Sequence, residues 1–224
     1  MKIGQTEINP SKIVCLGRNY REHAKEFNAP VPTEPVIFVK TINSLITGED
    51  PIIYPRILYN TEAFNRVDHE VELAFIMKKT CKKVKADNAF EYILGYSIFL
   101  DMTAREMQIF DRNKNLPWYR SKNFDTFSVI GPQIVSINKI EDPHDLTIRL
   151  KLNSKIRQES NTKHMIFKIP EIVEYISSYL TLERDDIIAT GTPSGVGPVL
   201  PGDVIEASIE KIGTMIHRVV LEDI

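Results

Sequence analysis

The sequence predicts a β-rich α+β fold with a few short helices. Three observations predict it. Apolar and polar residues alternate around Val71, Leu73 and Phe75 and again over Leu146–Leu152, which is the period of a strand. The C-terminal part alternates in two stretches, Ile205/Ala207/Ile209 and Met215/His217/Val219/Leu221. Only one segment carries a clear helical stripe, with Ile172, Val173, Ile176, Tyr179 and Leu180 following Pro170, a residue suited to a first helical turn.

In chain order, Asn19–Phe27 reads as a short helix. Asn28–Pro35 holds three prolines and reads as an extended loop, because proline fixes φ and lacks an N–H. That loop divides an N-terminal segment, 1–34, from a main body, 35–224. Val36–Lys40 and Val67–Met77 are expected strands, and Ala86–Leu94 a helix. Tyr96–Leu100 is a buried strand running into Asp101, and Thr103–Arg112 is helical. Thr190–Gly197 and then Leu200–Asp203 are turns between strands.

Composition narrows the function. The 224 residues are 42% hydrophobic and 26% charged, ordinary usage for a chain that builds one core. The net charge of −2 argues against a nucleic-acid binder, which carries a basic face. Two cysteines, Cys15 and Cys81, exclude a disulfide scaffold and a four-cysteine zinc site. Tyr92–Leu100, the longest apolar run, falls far short of the ~20 residues of a spanning helix. The N-terminus has neither an apolar signal core nor an Arg-rich transit pattern. The expectation is a soluble, cytoplasmic protein with no membrane partner.

The strongest chemical signal is Asp68-His69-Glu70-Val71-Glu72. In a strand Glu70 and Glu72 share a face, and two carboxylates so close repel unless a cation sits between them. Asp101, ending the next apolar strand, can add a third oxygen donor. Oxygen-only ligation suits Mg²⁺ or Mn²⁺ rather than zinc. A solvent-facing strand with alternating glutamates is the other reading of the same spacing.

Further polar groups fit such a site, each with an ordinary surface reading beside it. His23 and Glu26 stand three apart and would be neighbours on a helix, so Glu26 could orient His23 as a base. Lys122 could steady a developing enolate. Arg105 and Gln108 lie one helical turn apart after Asp101. Backbone N–H groups of Thr190–Gly197, with Thr192, could bind a carboxylate; no P-loop or dinucleotide fingerprint is present.

Taken in order, these stretches resemble the fumarylacetoacetate hydrolase (FAH) family over about residues 13–222. The resemblance is carried by Cys15–Tyr20, His23 with Glu26, Glu70-Val71-Glu72-Leu73, Asp101–Arg105, Lys122–Phe127, Gln158 with Thr162, Thr190–Gly197 and Gly202-Asp203. Asp101–Arg105, Leu116–Trp118, Asp142–His144 and Arg157–Glu159 are most similar to the acylpyruvase and oxaloacetate decarboxylase branch. Lys40-Thr41 and Asn153-Ser154 depart from the Lys-Pro and Asn-Gly common in the family. The resemblance implies an FAH-type mixed β-sandwich roll, a homodimer, and Mg²⁺, with Mn²⁺ as the other candidate, held by Glu70, Glu72 and Asp101. It implies a mobile lid carrying His23 and Glu26, an active-site Lys122, and substrate contacts from Arg18, Arg105, Gln108 and Thr192. The activity implied is hydrolysis of acylpyruvates at C3–C4 to pyruvate and a carboxylic acid, with oxaloacetate decarboxylation beside it. An isomerase or decarboxylase of dienoic 2-oxo diacids, and a non-catalytic metal-stabilised module, are the alternatives.

Overall fold

A computed structural model describes Met1–Asp223. Its frame is a seven-stranded mixed sheet. In order of pairing the strands are Val36–Lys40, Ile13–Gly17, Ile187–Ala189, Val71–Met77, Ile93–Asp101, Ser128–Ser136 and Leu45–Thr47. A five-stranded sheet runs Lys155–Asn161, Thr147–Leu152, Val204–Ile209, Gly213–Leu221 and Ile52–Tyr54. Three short strands, Thr103–Ala104, Val67–His69 and Gly197–Val199, form a small sheet. This is the β-rich α+β class that the alternation predicts, with the mixed sheets that the resemblance implies.

The alternation also places the core. Val71, Leu73, Phe75, Ile98 and Leu100 point to one side of the large sheet. There they meet Ile148, Leu150, Ile205, Ala207 and Val219 of the five-stranded sheet, together with Ile169, Ile172, Val173 and Ile176 of the Ile169–Tyr179 helix. Ala74, Ile76 and Phe99 point to the other side, where they join Ile13, Cys15, Ile130, Ile187 and Ala189. Val71–Met77 is therefore buried along its whole length, as expected of a strand covered on both faces. Cys15 and Cys81 are free thiols, both buried.

Four local expectations change. Val67–Met77 is two strands in two sheets, interrupted at Glu70; side-chain alternation continues through the crossing, so the pattern conceals it. Ala86–Leu94 is a 3₁₀ helix over Ala86–Tyr92, cut short because Ile93 pairs with Met77. Thr103 and Ala104 are strand residues paired with Asp68 and Val67, which delays the helix to Arg105–Asn113. Tyr179 lies off the buried stripe at 54% exposure and packs edge-on against Tyr175. Among the described residues, no helix is long and apolar enough to cross a membrane.

Candidate active site

Strand register assembles the carboxylates. Val71 pairs with Leu100 in the antiparallel ladder, so Glu70 comes opposite Asp101, whose N–H donates to the Glu70 carbonyl at 2.9 Å. Glu70, Glu72 and Asp101 thus continue the face that carries Ala74, Ile76 and Phe99. One carboxylate oxygen from each lies within 4.8 Å of the others. Their exposures are 5%, 1% and 0%, which excludes the solvent-facing reading of Glu70 and Glu72.

Cations surround two of the three. The Lys122 ammonium donates to Glu70 Oε2 at 3.0 Å, to Asp101 Oδ2 at 2.5 Å and to the Thr103 hydroxyl at 2.7 Å. Lys40 donates to Asp101 Oδ1 at 2.5 Å and to the Phe127 carbonyl at 2.8 Å. Arg105 donates to Glu70 Oε1, to Asp68 Oδ2 at 2.7 Å and to Gln108 Oε1 at 2.6 Å. Burial alone would raise the Glu70 carboxyl, but the charges of Lys122, Arg105 and His23 outweigh it and hold the group well below the usual carboxylate range.

Glu72 is different. Its hydrogen bond comes from the Gly191 N–H at 2.8 Å, and no salt bridge reaches it among the described residues. Burial, then the negative charges of Asp101 and Glu70, push its carboxyl well above the usual range. A buried anion beside two others, without a basic partner, is costly to keep. A divalent cation among the three removes that cost, and oxygen donors alone favour a hard ion. The residues present therefore fit such an ion.

The helix Arg21–Glu26 places His23 against this cluster. His23 is buried and lines the same pocket as Glu70 and Glu72. Its Nδ1 lies 3.1 Å from Glu26 Oε2, and its ring meets Phe27 edge-on. Glu26 Oε1 accepts from the Gly195 N–H at 3.1 Å, so one carboxylate joins this helix to the glycine-rich loop. That loop needs its glycines. Gly191 and Gly195 have φ of +91° and +94°, and a Cβ on Gly195 would lie 2.1 Å from the Arg157 carbonyl oxygen.

The remaining expected residues also gather here. Arg18, Arg105, Gln108 and Thr192 line the same pocket. Arg18 has φ of +58°, and its buried Nε has no partner among the described residues. The Thr192 hydroxyl donates to the Val71 carbonyl at 2.9 Å and accepts from Gln158 Nε2 at 2.8 Å, so it fastens the loop to the strand between the two glutamates. Arg105 has each of its three nitrogens engaged by Asp68, Glu70 and Gln108, and in this arrangement it braces Glu70.

Comparison with known proteins bears on this arrangement. The family described as fumarylacetoacetate (FAA) hydrolase C-terminal matches residues 12–220. The chain belongs to the fumarylacetoacetate hydrolase family. Human mitochondrial oxaloacetate tautomerase FAHD1 is 44% identical over 207 residues, covering 92% of this chain and 90% of that protein. The crystal structure of a Pseudomonas aeruginosa fumarylpyruvate hydrolase in complex with Mn²⁺ and pyruvate superposes with a TM-score of 0.89 at 28% identity, covering 99% of this chain and 95% of that one. A Mycobacterium smegmatis 5-carboxymethyl-2-hydroxymuconate delta-isomerase structure matches at 39% identity and a TM-score of 0.84, covering 97% of this chain and 81% of that one. This chain is thus an enzyme of that family, and Glu70, Glu72 and Asp101 are its residues that would hold a divalent ion.

Sequence reading gave no role to Lys40, Asp68, Thr103 or His69, all buried at the site. One signal for Lys40 was available: Phe38 and Lys40 share a strand face, paired with Cys15 and Ile13. Yet the apolar neighbour Val39 is 45% exposed while Lys40 is 0%, the reverse of what residue type alone suggests. Gln158, noted only as part of the resemblance, accepts from His69 Nδ1 at 3.1 Å and from the Val71 N–H at 3.2 Å.

Proposed function

We propose that this member of the family hydrolyses acylpyruvates, cleaving C3–C4 of a 2,4-dioxo acid to pyruvate and a carboxylic acid. The observation that carries the reading is the His23–Glu26 pair in the same buried pocket as the carboxylate triad. Mg²⁺ or Mn²⁺ held by Glu70, Glu72 and Asp101 would supply Lewis-acid stabilisation of a 2-oxo oxygen.

The chain's own groups do the rest. Glu26 accepts from His23 Nδ1–H, which leaves Nε2 as the lone pair that takes a proton from water. The resulting hydroxide adds to the C4 carbonyl. The C3–C4 bond breaks with its electron pair on C3, and C3 takes a proton to complete pyruvate. Lys122 places a positive charge beside the developing enolate. Arg105 fixes the Glu70 carboxylate, and Gln108 with Arg18 contacts substrate oxygens from the pocket wall. The Arg21–Glu26 helix serves as a lid, latched by the Glu26–Gly195 hydrogen bond, and excludes water once substrate is bound. A homodimer, on the strength of the family resemblance, and action in the cytoplasm, on the strength of the two free thiols, complete this reading.

A second reading is favoured by the tautomerase relatives: the same enolate-stabilising groups would move a proton at C3 of oxaloacetate, with no bond between carbons broken. Decarboxylation of oxaloacetate would reach the same enolate by loss of CO₂. Product analysis separates these. With Mg²⁺ or Mn²⁺ present, acetylpyruvate should give pyruvate and acetate in equal amounts. Tautomerisation would instead remove the enol absorbance of oxaloacetate without forming pyruvate. Turnover of neither substrate overturns both readings.

A further inference from the structure

The Arg21–Glu26 helix has little hold on its own shape. Its six residues make less than two turns, too few to persist in isolation. Its N-cap, Tyr20, supplies no side-chain hydrogen bond among the described residues. His23 and Ala24 are buried, so the helix is held by what it touches in the rest of the protein. Those contacts decide where the His23 ring stands.

Two of them flank that ring. One is the Glu26 carboxylate, bonded to His23 Nδ1 and to the Gly195 N–H. The other is Phe27, the residue that closes the helix and lines the pocket. Its ring meets the His23 ring edge-on, with centroids 5.2 Å apart. Arg105 Cζ lies over the same Phe27 ring, 4.7 Å from its centroid, a separation at which a cation is attracted to a π face. The Arg105 nitrogens are engaged by Asp68, Glu70 and Gln108. Such bonds use the edge of a planar guanidinium and leave its faces for an aromatic ring. One ring thus touches both the base and the group that braces Glu70.

We infer that Phe27 is a positioning residue: packed on Arg105, it seats the His23–Glu26 pair against the carboxylate triad. This rests on the proposed role of His23 as the base. The anchor is itself fixed, because Asp68 and Glu70 hold Arg105 from the floor of the site. An aliphatic side chain at this position fills space but offers no π face, and His23 then leaves its seat more often.

The test reads the seating of His23 without turnover. The Mn²⁺-loaded full chain is treated near neutral pH with limiting diethyl pyrocarbonate, which acylates accessible imidazole nitrogens. The rate at each of the five histidines is followed by peptide mass spectrometry. His23 is 6% exposed, and His69 and His217, at 0% and 2%, report any general loosening. Phe27→Leu should raise the His23 rate about tenfold, in line with the loss of one partly desolvated cation–π contact, and leave the His69 and His217 rates unchanged. Phe27→Tyr keeps a π face and should stay near the unmodified rate. An unchanged His23 rate in Phe27→Leu, an equal rise at His23, His69 and His217, or a Phe27→Tyr rate as fast as that of Phe27→Leu overturns the inference. Because accessibility is read directly, failure of C3–C4 hydrolysis is seen separately, in the product analysis.

Discussion

At Glu72 a carboxylate is buried to 1% exposure with, among the described residues, a single backbone N–H as its hydrogen-bond donor. Glu70 and Asp101, one step away on the same face, each have a lysine. This asymmetry separates the groups that the protein neutralises itself from the one whose charge an ion would offset. His23 is the other residue on which chemistry depends, and its role differs from that of the carboxylates. Replacing it removes a proton acceptor and leaves the Lys122 and Arg105 contacts to the triad in place. His23→Ala should lower kcat for acylpyruvate hydrolysis by about 10²–10⁴, the usual contribution of a positioned base, with KM and metal affinity little changed. Steady-state kinetics alongside a metal titration checks this; an unchanged kcat removes His23 from the reaction.

Among elements, strands were legible wherever one period ran undisturbed. Thr147–Leu152, Val204–Ile209 and Gly213–Leu221 follow the alternation closely, because each keeps one face on the core throughout. The break at Glu70 was not legible, since a strand that passes between sheets keeps its side-chain period. Spacing made the triad a candidate, because a Glu-x-Glu pair shares a strand face, but left a solvent-facing strand open; burial of all three side chains closes that alternative. Lys40, Asp68 and Thr103 could not be read from spacing, because their burial arises from partners distant in sequence. Strand burial also makes a prediction. His217, on the inner face of Gly213–Leu221, donates through Nδ1 to the Asp50 carbonyl at 2.9 Å. Burial, partly offset by that carbonyl, holds its pKa below the usual 6.5. The unfolded chain therefore takes up this proton first as pH falls. The stabilisation is complete above about pH 6.5 and is lost as pH drops toward the folded value. Between pH 7.5 and 5.5, His217→Gln should lose less stability than the unmodified chain, by at most about 1.4 kcal/mol. Urea midpoints at the two pH values measure it; equal losses would show that His217 titrates alike folded and unfolded.

Across the whole molecule, the two large sheets share one apolar interior, while the opposite face of the seven-stranded sheet carries the site. A rigid, doubly covered strand thus positions Glu72. Segments from the N-terminal third, the Arg105–Asn113 helix and the Thr190–Gly197 loop close around it. Such an arrangement holds ligand oxygens in place before an ion arrives, and an ion that binds only the folded state stabilises it. The central claim is that Glu70, Glu72 and Asp101 form one divalent-metal site. It is tested most directly by calorimetric titration of Mn²⁺ into the unmodified chain and Glu72→Gln, with folding of both checked by circular dichroism. The account predicts one ion per unmodified chain and an affinity at least about tenfold weaker in the variant; equal affinity and stoichiometry in the two proteins would contradict it.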